Sequence, residues 1–536
     1  MKRATSRRAI ETDICIIGSG ISAAMAADRL ARTTSAKILV VEAGDETVPL
    51  PQRADARERF LRYGENPWGR DHLDGYEVDG PLQSRSMQVG GLAMHWGGVT
   101  PRFSPEDFRQ RSMFGVGTDW PISYDELDPF YQEAEELMGV SGEQGPVQLD
   151  PRKKPFPMPA LPLTYNLELL KKWASSAGIA TWSQPSAKNS VMYKGRAQCC
   201  RNDTCTPVCP VGAKYSPDFT WGPLRTSNRI KLLPRTVVRK LVLGAGGKTI
   251  THAIAVDRDH PDQPVELHAK LFVVAAGYAW SSHLLLLSAQ SGAENGAANS
   301  SGLVGKYLTG HRNVQGYVDL PVRLYPGINE QHSLVTKQFM RPRPGGQYVR
   351  HDLRIWESSV NKAPRLLNDA GTLMLGDEIL ADWRARTQTG TARVRAYYDV
   401  IPDRSSELTL DTKKNAWGDP LPKLAFRDAP ESIALRAHTE DSIKALFSTM
   451  AKAGNGTLLR TSVDNFQDHP AGGCRMGADG ATSVVDSWGR THDHENLFVV
   501  GAPTSVSGSC ANATLTFCAL ALRAAHEIER GLPRRS

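Results

Sequence analysis

The chain opens on a strand, a glycine turn, a helix and a second strand in one run, and no other feature narrows its fold so far. Thr12–Gly18 (TDICIIG) is short, apolar and β-branched; Gly18-Ser-Gly20-Ile-Ser-Ala23 then opens an Ala-rich helical stretch to about Arg32, and Ile38-Leu-Val-Val-Glu42-Ala-Gly44 reads as a second buried strand. This is one βαβ unit. Its turn suits a dinucleotide for steric reasons: Gly18 permits the tight turn, Gly20 lets a pyrophosphate approach the backbone, and the small Ala23 lets helix pack on strand. The helix N-terminus offers free N–H groups and a positive dipole to the phosphates. Glu42, 22 residues beyond Gly20, stands where a carboxylate accepts both ribose hydroxyls and repels a 2′-phosphate. The unit by itself does not separate NAD from FAD.

At 536 residues the chain exceeds one hydrophobic core, since cores stop growing near ~250–300 residues, so two lobes are expected. With 40% apolar and 23% charged residues it is not a wholly disordered chain. The net charge of +7 is thin, and its runs (Lys2–Arg3, Arg7–Arg8, Arg152–Lys154, Arg534–Arg535) are short; without a clustered basic face, no nucleic-acid partner is expected. The apolar stretches around Leu284–Leu287 and Leu515–Leu522 fall far short of the ~18–20 residues of a bilayer span, so no transmembrane segment is expected. The basic N-terminus runs into an acidic, strand-like stretch, so no signal peptide of its own is expected either.

Further along, Tyr124–Leu163 is rich in Pro and acidic residues, and Arg235–Val256 alternates as a β-meander through the turn Gly244–Gly247. A buried strand, Leu271–Ala276, ends in Gly277 and feeds a helix over Ser281–Ala289; the Gly/Ala/Asn/Ser run near Ser291–Ser301 reads as a surface loop. Beyond residue 310 longer alternating strands (Val314–Arg323, Arg393–Ile401, Glu407–Asp411) surround a helix near Pro430–Ala453, which predicts a second lobe with a largely antiparallel sheet. The strand Asn496–Gly501 and the helix Ala513–Arg530 return to the buried α/β style. The expected nucleotide-binding domain is therefore discontinuous: 1–123, 215–309 and 465–536, with 124–214 a substrate-side segment and 310–464 the substrate domain.

Four further motifs follow in order: Val89-Gly90-Gly91-Leu-Ala-Met-His95-Trp96-Gly97-Gly98; Leu271-Phe-Val-Val-Ala-Ala276-Gly277; His469-Pro-Ala-Gly-Gly-Cys-Arg-Met-Gly477; and Asn496-Leu-Phe-Val-Val-Gly501 through Asn512-Ala-Thr-Leu-Thr516. With the glycine turn, they resemble the glucose–methanol–choline (GMC) family of FAD-dependent oxidoreductases from Asp13 to Ile528. The resemblance implies an α/β, two-lobe GMC fold: a Rossmann-like FAD-binding domain plus a substrate domain with a mainly antiparallel sheet. It implies that the Gly90–Gly98 loop wraps the flavin, that Val238 meets the adenine, and that the Ala275–Gly277 turn, Ala276 included, lies near the FAD. By the same resemblance Gly501, Ala502, Ala513 and Thr514 run onto the isoalloxazine, with the helix N-terminus at Thr514 facing its C2 carbonyl.

Oxidising an alcohol by hydride transfer to flavin N5 leaves a hydroxyl proton, and an imidazole tuned near neutrality is the natural base. In the family's His/Asn arrangement the base matches His469 and its companion Asn512, read as orienting the substrate oxygen. The Met94-His95-Trp96 triplet resembles that of pyranose oxidases, where the histidine carries the flavin covalently; whether His95 does so stays open. Trp120 is read as a packing or interface residue, while Trp96, in the loop that the resemblance wraps around the flavin, is either a packing residue or part of the cofactor site. The run Gly115–Tyr124 with Pro129–Tyr131 resembles scaffold shared with bacterial sugar dehydrogenases.

Of eight cysteines, Cys199, Cys200, Cys205 and Cys209 fall within 11 residues. The segment resembles one in catalytic subunits of bacterial FAD glucose, sorbitol, fructose and gluconate dehydrogenases, where three thiolates hold a [3Fe–4S] centre. A zinc site, made awkward by adjacent Cys199–Cys200, and disulfides such as Cys200–Cys209 stay open as alternatives; Cys209 is taken as the spare thiol. Cys15, Cys474, Cys510 and Cys518 are read as packing residues. The reading is an FAD-dependent dehydrogenase of a sugar hydroxyl (aldose, aldonate or glucoside) passing electrons through an iron–sulfur centre to a cytochrome or quinone. An O2-using sugar oxidase with structural cysteines, and a non-catalytic electron carrier, are the alternatives. The resemblance also implies a small partner subunit carrying the export signal, a multihaem cytochrome subunit, and a periplasmic location reached with that partner, otherwise a cytoplasmic one.

Overall fold

The computed structural model describes residues 8–68, 86–325, 332–341, 348–358, 364–415 and 417–534. The basic positions Lys2, Arg3, Arg7 and Arg535 lie outside the described residues.

The opening unit forms as read: β1 (Arg8–Ile17), α1 (Ile21–Thr33) and β2 (Ile38–Val41), with Ile14 to Ile17 in parallel register with Ile38 to Val41. β1 pairs on its other side, again parallel, with the strand Pro264–Val274. That strand changes partners along its length. Its first half pairs antiparallel with Ile250–Asp257 of the meander, and its last residues, Phe272 to Val274, pair parallel with Leu497–Val499. The sheet has seven strands, closed on the far side by Ile230–Leu233 against β2 and by Thr236–Leu243 at the other edge. α1 and the closing helix Thr514–Arg530 bury their alanine- and leucine-rich faces in one core with these strands.

The second sheet has six strands and is antiparallel throughout, in the order Thr457–Ala471, Thr309–Leu320, Gly390–Asp399, Leu353–Ser358, Leu334–Thr336 and Trp182–Ser183. Period-2 alternation divides its faces. Ala392, Val394 and Ala396 join Leu353 and Ile355 in a core completed by Ile443 and Phe447 of the helix Pro430–Ala453 and by Leu167 and Leu170 of the helix Tyr165–Ser176. The residues between them face the cavity described below. The strand Thr457–Ala471 of this sheet runs across position 464, where the sequence reading set a boundary.

Three local expectations change. Glu407–Lys414 does not join the six-stranded sheet; it forms a two-stranded ribbon with Pro420–Ala425 and a single bridge from Glu407 to Lys306, and Leu408 and Leu424 pack on Tyr278 and Ala279 of the helix Gly277–Leu287. The Ser291–Ser301 run is a loop, but Ala297 and Ala298 are buried in the main core, because the chain there folds back onto Leu285. The acidic Tyr124–Leu163 stretch contains a helix, Tyr124–Met138, set by a Ser123/Glu126 capping box and ended by Gly139 in a left-handed conformation.

That helix is fixed by a buried ion cluster. Arg102 spans both carboxylate oxygens of Glu135 (2.8 and 2.9 Å) and reaches Asp128 (2.6 Å), while Arg152 also donates to Glu135. The helix's Tyr131 hydroxyl meets Thr516 Oγ1 at 2.8 Å, in the first turn of the closing helix. Replacing Arg102 with Leu takes the arginine from buried Asp128 and leaves Glu135 to Arg152 alone, and removing one partner of such a cluster costs about 3–5 kcal/mol. The expected result is a lowered denaturation midpoint in urea; a midpoint equal to wild type would show that the cluster is dispensable.

Candidate flavin and substrate site

β1, Pro264–Val274 and Leu497–Val499 end at one level: Ala275 N donates to Ile17 O (2.8 Å) and Val500 N to Val274 O (3.0 Å). A cavity of about 970 Å³ opens beyond these ends. Gly18 turns the chain at φ +99°, and a Cβ there would lie 2.6 Å from Ala275 O. At Gly20, by contrast, a Cβ would meet nothing within 4 Å: it would project into space. Gly20 is the N-cap of α1, Ala276 that of Gly277–Leu287 and Ala513 that of Thr514–Arg530; none of these caps uses a side chain.

Most of the sequence-predicted cofactor residues are brought together here. Gly18, Gly20, Glu42, Gly91, His95, Trp96, Gly97, Val238, Ala276, Ala502 and Thr514 all line the cavity. The others stand behind it. Ala23 and Ala513 are fully buried. Gly90, at φ +91°, leaves room for Met94, and Gly501, at φ +82°, for Ser22. Glu42 is already engaged: it accepts from Ser19 N (3.0 Å), Ser19 Oγ (2.5 Å) and Gly44 N (2.9 Å), and burial nevertheless raises its pKa. Its carboxylate thereby braces the glycine turn from the ribose end of the cavity. Around Val238 the ladder skips from Val238 opposite Ala255 to Lys240 opposite Ile254, a bulge that withdraws main-chain groups from pairing. Trp96 anchors the flavin loop through Nε1 to Tyr215 O (2.9 Å), and Trp120 is a buried packing residue whose Nε1 reaches Ser507.

His469 and Asn512 meet at the cavity's other end. Between Thr309 opposite Ala471 and His311 opposite Asp468 the sheet carries an extra residue, and His469 sits in that bulge at φ +48°. Bulges re-aim side chains beside active sites. His469 Nε2 lies 2.9 Å from Asn512 Nδ2, and its Nδ1 lies 2.8 Å from Nε2 of His311, a residue the sequence reading passed over. His311 Nδ1 in turn faces the carbonyl oxygen of Ser509 at 3.2 Å. A carbonyl only accepts, so His311 carries its proton on Nδ1 and accepts at Nε2. His469 therefore donates from Nδ1, which leaves its Nε2 unprotonated and accepting from the Asn512 amide N–H. Asn512 Oδ1 has no hydrogen-bond partner among the described residues.

The cysteine cluster forms a second, much smaller site. Cys199, Cys200, Cys205 and Cys209 line one cavity of about 10 Å³ beside Lys188 and Lys214. All eight cysteines are free thiols, so the Cys200–Cys209 disulfide alternative is not formed. Cys205 and Cys209 are buried and Cys200 is exposed, so burial singles out Cys200 rather than Cys209 as the odd thiol. Among the described residues no three His, Cys, Asp or Glu side chains are arranged to hold a single metal ion. Thiolates of an iron–sulfur centre sit on different irons and need not converge on one point. The two sites are linked: Lys214 Nζ donates to Met94 O and Trp96 O in the flavin loop and to Cys205 O (2.7 Å). Burial lowers the Lys214 pKa to about 8. Cys15, Cys474, Cys510 and Cys518 are buried packing residues, their thiol pKa values pushed up by burial.

A glycine turn, three uncapped helix N-termini and an imidazole lone pair around one cavity define a dinucleotide-dependent oxidoreductase. The chain belongs to the GMC oxidoreductase family: the N-terminal family model matches residues 117–313 and the C-terminal one residues 402–521. It is 30% identical to the fructose dehydrogenase large subunit of Gluconobacter japonicus over 98% of each chain. It is 28% identical to the 6'''-hydroxyparomomycin C oxidase of Streptomyces lividus, over 96% of this chain and 91% of that one. The pyridoxine 4-oxidase structure from Mesorbium loti superposes with a TM-score of 0.62 at 17% identity, covering 97% of this chain and 99% of that one. The family's cofactor is FAD, and the open space at Gly20 together with the uncapped N-termini fits it.

The two glycines separate folding from cofactor binding. Gly18→Ala, forced to φ +99° against Ala275 O, is expected to lose folded protein. Gly20→Ala is expected to fold with an unchanged denaturation midpoint of the apoprotein but to purify with little bound FAD. Equal FAD content in Gly20→Ala and wild type would contradict this placement of the pyrophosphate.

Proposed function

We propose that this protein is an FAD-dependent dehydrogenase that oxidises a hydroxyl of a sugar-like substrate, with His469 as base and Asn512 holding the substrate oxygen. The observation that carries the reading is the contact of His469 Nε2 with the Asn512 amide at 2.9 Å, both residues lining the cavity. FAD, when bound, supplies the hydride acceptor at N5. The substrate hydroxyl displaces the His469–Asn512 contact, donates its proton to His469 Nε2 and takes the Asn512 N–H at its oxygen. His311 holds the His469 ring with Nδ1 protonated, and the imidazolium formed shares that proton with His311 Nε2. The substrate loses one C–H hydride and one O–H proton and leaves as a carbonyl compound. Proton transfer to a positioned base contributes ~10²–10⁴-fold in rate, so His469→Ala is expected to slow flavin reduction by that factor in a stopped-flow assay with FAD retained. A variant that bleaches at the wild-type rate removes His469 from this role.

We further propose that electrons leave through an iron–sulfur centre held by Cys199, Cys205 and Cys209, with Cys200 spare. Burial of two of these thiols and the Lys214 link between their loop and the flavin loop support this path. Such a centre supplies one-electron transfer to a cytochrome or quinone. The name "large subunit" of the Gluconobacter relative supports partner subunits, which we propose to be a small one carrying an export signal and a multihaem cytochrome, with a periplasmic location. Cys205→Ser is expected to purify without iron and sulfide, to keep substrate-driven flavin bleaching, and to lose electron delivery to an external acceptor. Wild-type protein free of iron that consumes O2 on an oxygen electrode points instead to the oxidase reading. Covalent attachment through His95, which lines the cavity, is decided by whether FAD mass stays with the acid-denatured chain.

A further inference from the structure

The cavity face of the six-stranded sheet carries three arginines, Arg354, Arg393 and Arg395. Arg354 and Arg395 stand directly opposite one another across the antiparallel ladder. Like charges in that position repel and destabilise a sheet. Each is held in place by its surroundings. The Arg395 guanidinium lies 4.1 Å from the Tyr397 ring centroid and 5.4 Å from that of Trp356, and its buried Nε has no hydrogen-bond partner among the described residues. Arg354 is buried and reaches Asp352 Oδ2 at 3.2 Å, while the other oxygen of Asp352 takes the Tyr397 N–H.

One carboxylate thus stands against the facing pair. The acidic residues that line the cavity among those described are Glu42, which braces the glycine turn, and Asp419, which pairs with Arg239. Neither is placed to neutralise the sheet. A neutral polyol gives a buried guanidinium hydrogen bonds but no countercharge, and a charge out of water is costly without one. A planar oxyanion supplies both, in the two-pronged geometry that guanidinium prefers. The pair also lies close to the chemistry: Tyr397, on which Arg395 stacks, has its ring centroid 6.0 Å from that of His469.

We propose that the substrate is anionic, a polyhydroxy acid or a sugar phosphate, and that Arg354 and Arg395 bind its carboxylate or phosphate while His469 addresses a hydroxyl of the same molecule. This rests on the reading of His469 and Asn512 given above.

The test uses the full-length FAD-loaded enzyme with two readouts. Stopped-flow flavin reduction compares gluconate, galactonate and glucuronate, then glucose 6-phosphate, with neutral glucose and fructose. Binding of the same compounds to the His469→Ala holoenzyme is followed by the shift of the flavin absorption spectrum, which needs no turnover. An acid or a phosphate is expected to exceed its neutral counterpart about tenfold or more in kcat/KM. Arg395→Met is expected to reduce that selectivity ratio about ten- to a hundredfold, chiefly through KM, as for a lost charge-assisted hydrogen bond. Arg395→Lys restores part of the ratio. The carboxylate and phosphate series decide which oxyanion is the natural one. A selectivity ratio that favours neutral sugars, or one that Arg395→Lys and Arg395→Met both leave untouched, overturns the proposal and leaves the His469 reading standing. If no alcohol bleaches the flavin, that reading fails, and the absorption shift alone decides this one: it stands when the shift is specific to anions and lost in Arg395→Met, and falls otherwise.

Discussion

The contact between Gly18 and Ala275 governs the rest of the structure. A side chain at position 18 would collide with the carbonyl of Ala275 at 2.6 Å, so two parallel strands can end side by side only because that side chain is missing. Once they do, Leu497–Val499 completes the row against Val274, and three helices start beyond the same edge of one sheet. Each starts on a small residue, Gly20, Ala276 or Ala513, that makes no side-chain cap. Uncapped helix starts leave orphan N–H groups, which a capped helix would have spent on itself. An anionic dinucleotide satisfies them where water would otherwise have to.

The tautomer of His469, at the other end of the cavity, depends on a main-chain carbonyl two hydrogen bonds away. Ser509 O fixes the tautomer of His311, His311 that of His469, and only then does the lone pair of Nε2 face the substrate space. The bulge that places His469 belongs to the same strand pairing that carries His311. Backbone register and proton position are therefore set together. A one-residue slip would turn both rings to the helix-covered face of the sheet.

Features built from local spacing were legible in the sequence. The glycine turn, the meander with its turn at Gly244–Gly247 and the helix Pro430–Ala453 stand where the residues placed them. Glu407–Lys414 was misjudged because alternation shows that a strand has two faces and not which sheet receives it. The helix Tyr124–Met138 was hidden by Pro129 and its acidic residues, although the Ser123/Glu126 box was in plain view. Its stability comes from Arg102 and Arg152, distant in sequence, which no window over the helix contains. Cys200 could be told from its neighbours only by burial.

The substrate face was the least legible part for a similar reason. In Thr391-Ala-Arg393-Val-Arg395-Ala-Tyr397 the period-2 signal is present, with arginine where a solvated strand would also have it. What changes its meaning is that Gly390–Asp399 is a central strand, with Thr309–Leu320 on one side and Leu353–Ser358 on the other. A central strand whose small residues pack on a helix must turn its arginines inward, over the cavity. There they face Arg354 and the aromatic rings of Trp356 and Tyr397 instead of water. The pairing of two strands some thirty residues apart in sequence, rather than any motif within either, converts an ordinary surface pattern into a charged pocket wall. The chemistry of this wall is thus a property of register, and sequences with the same local alternation but a different neighbour strand would present a different wall to His469.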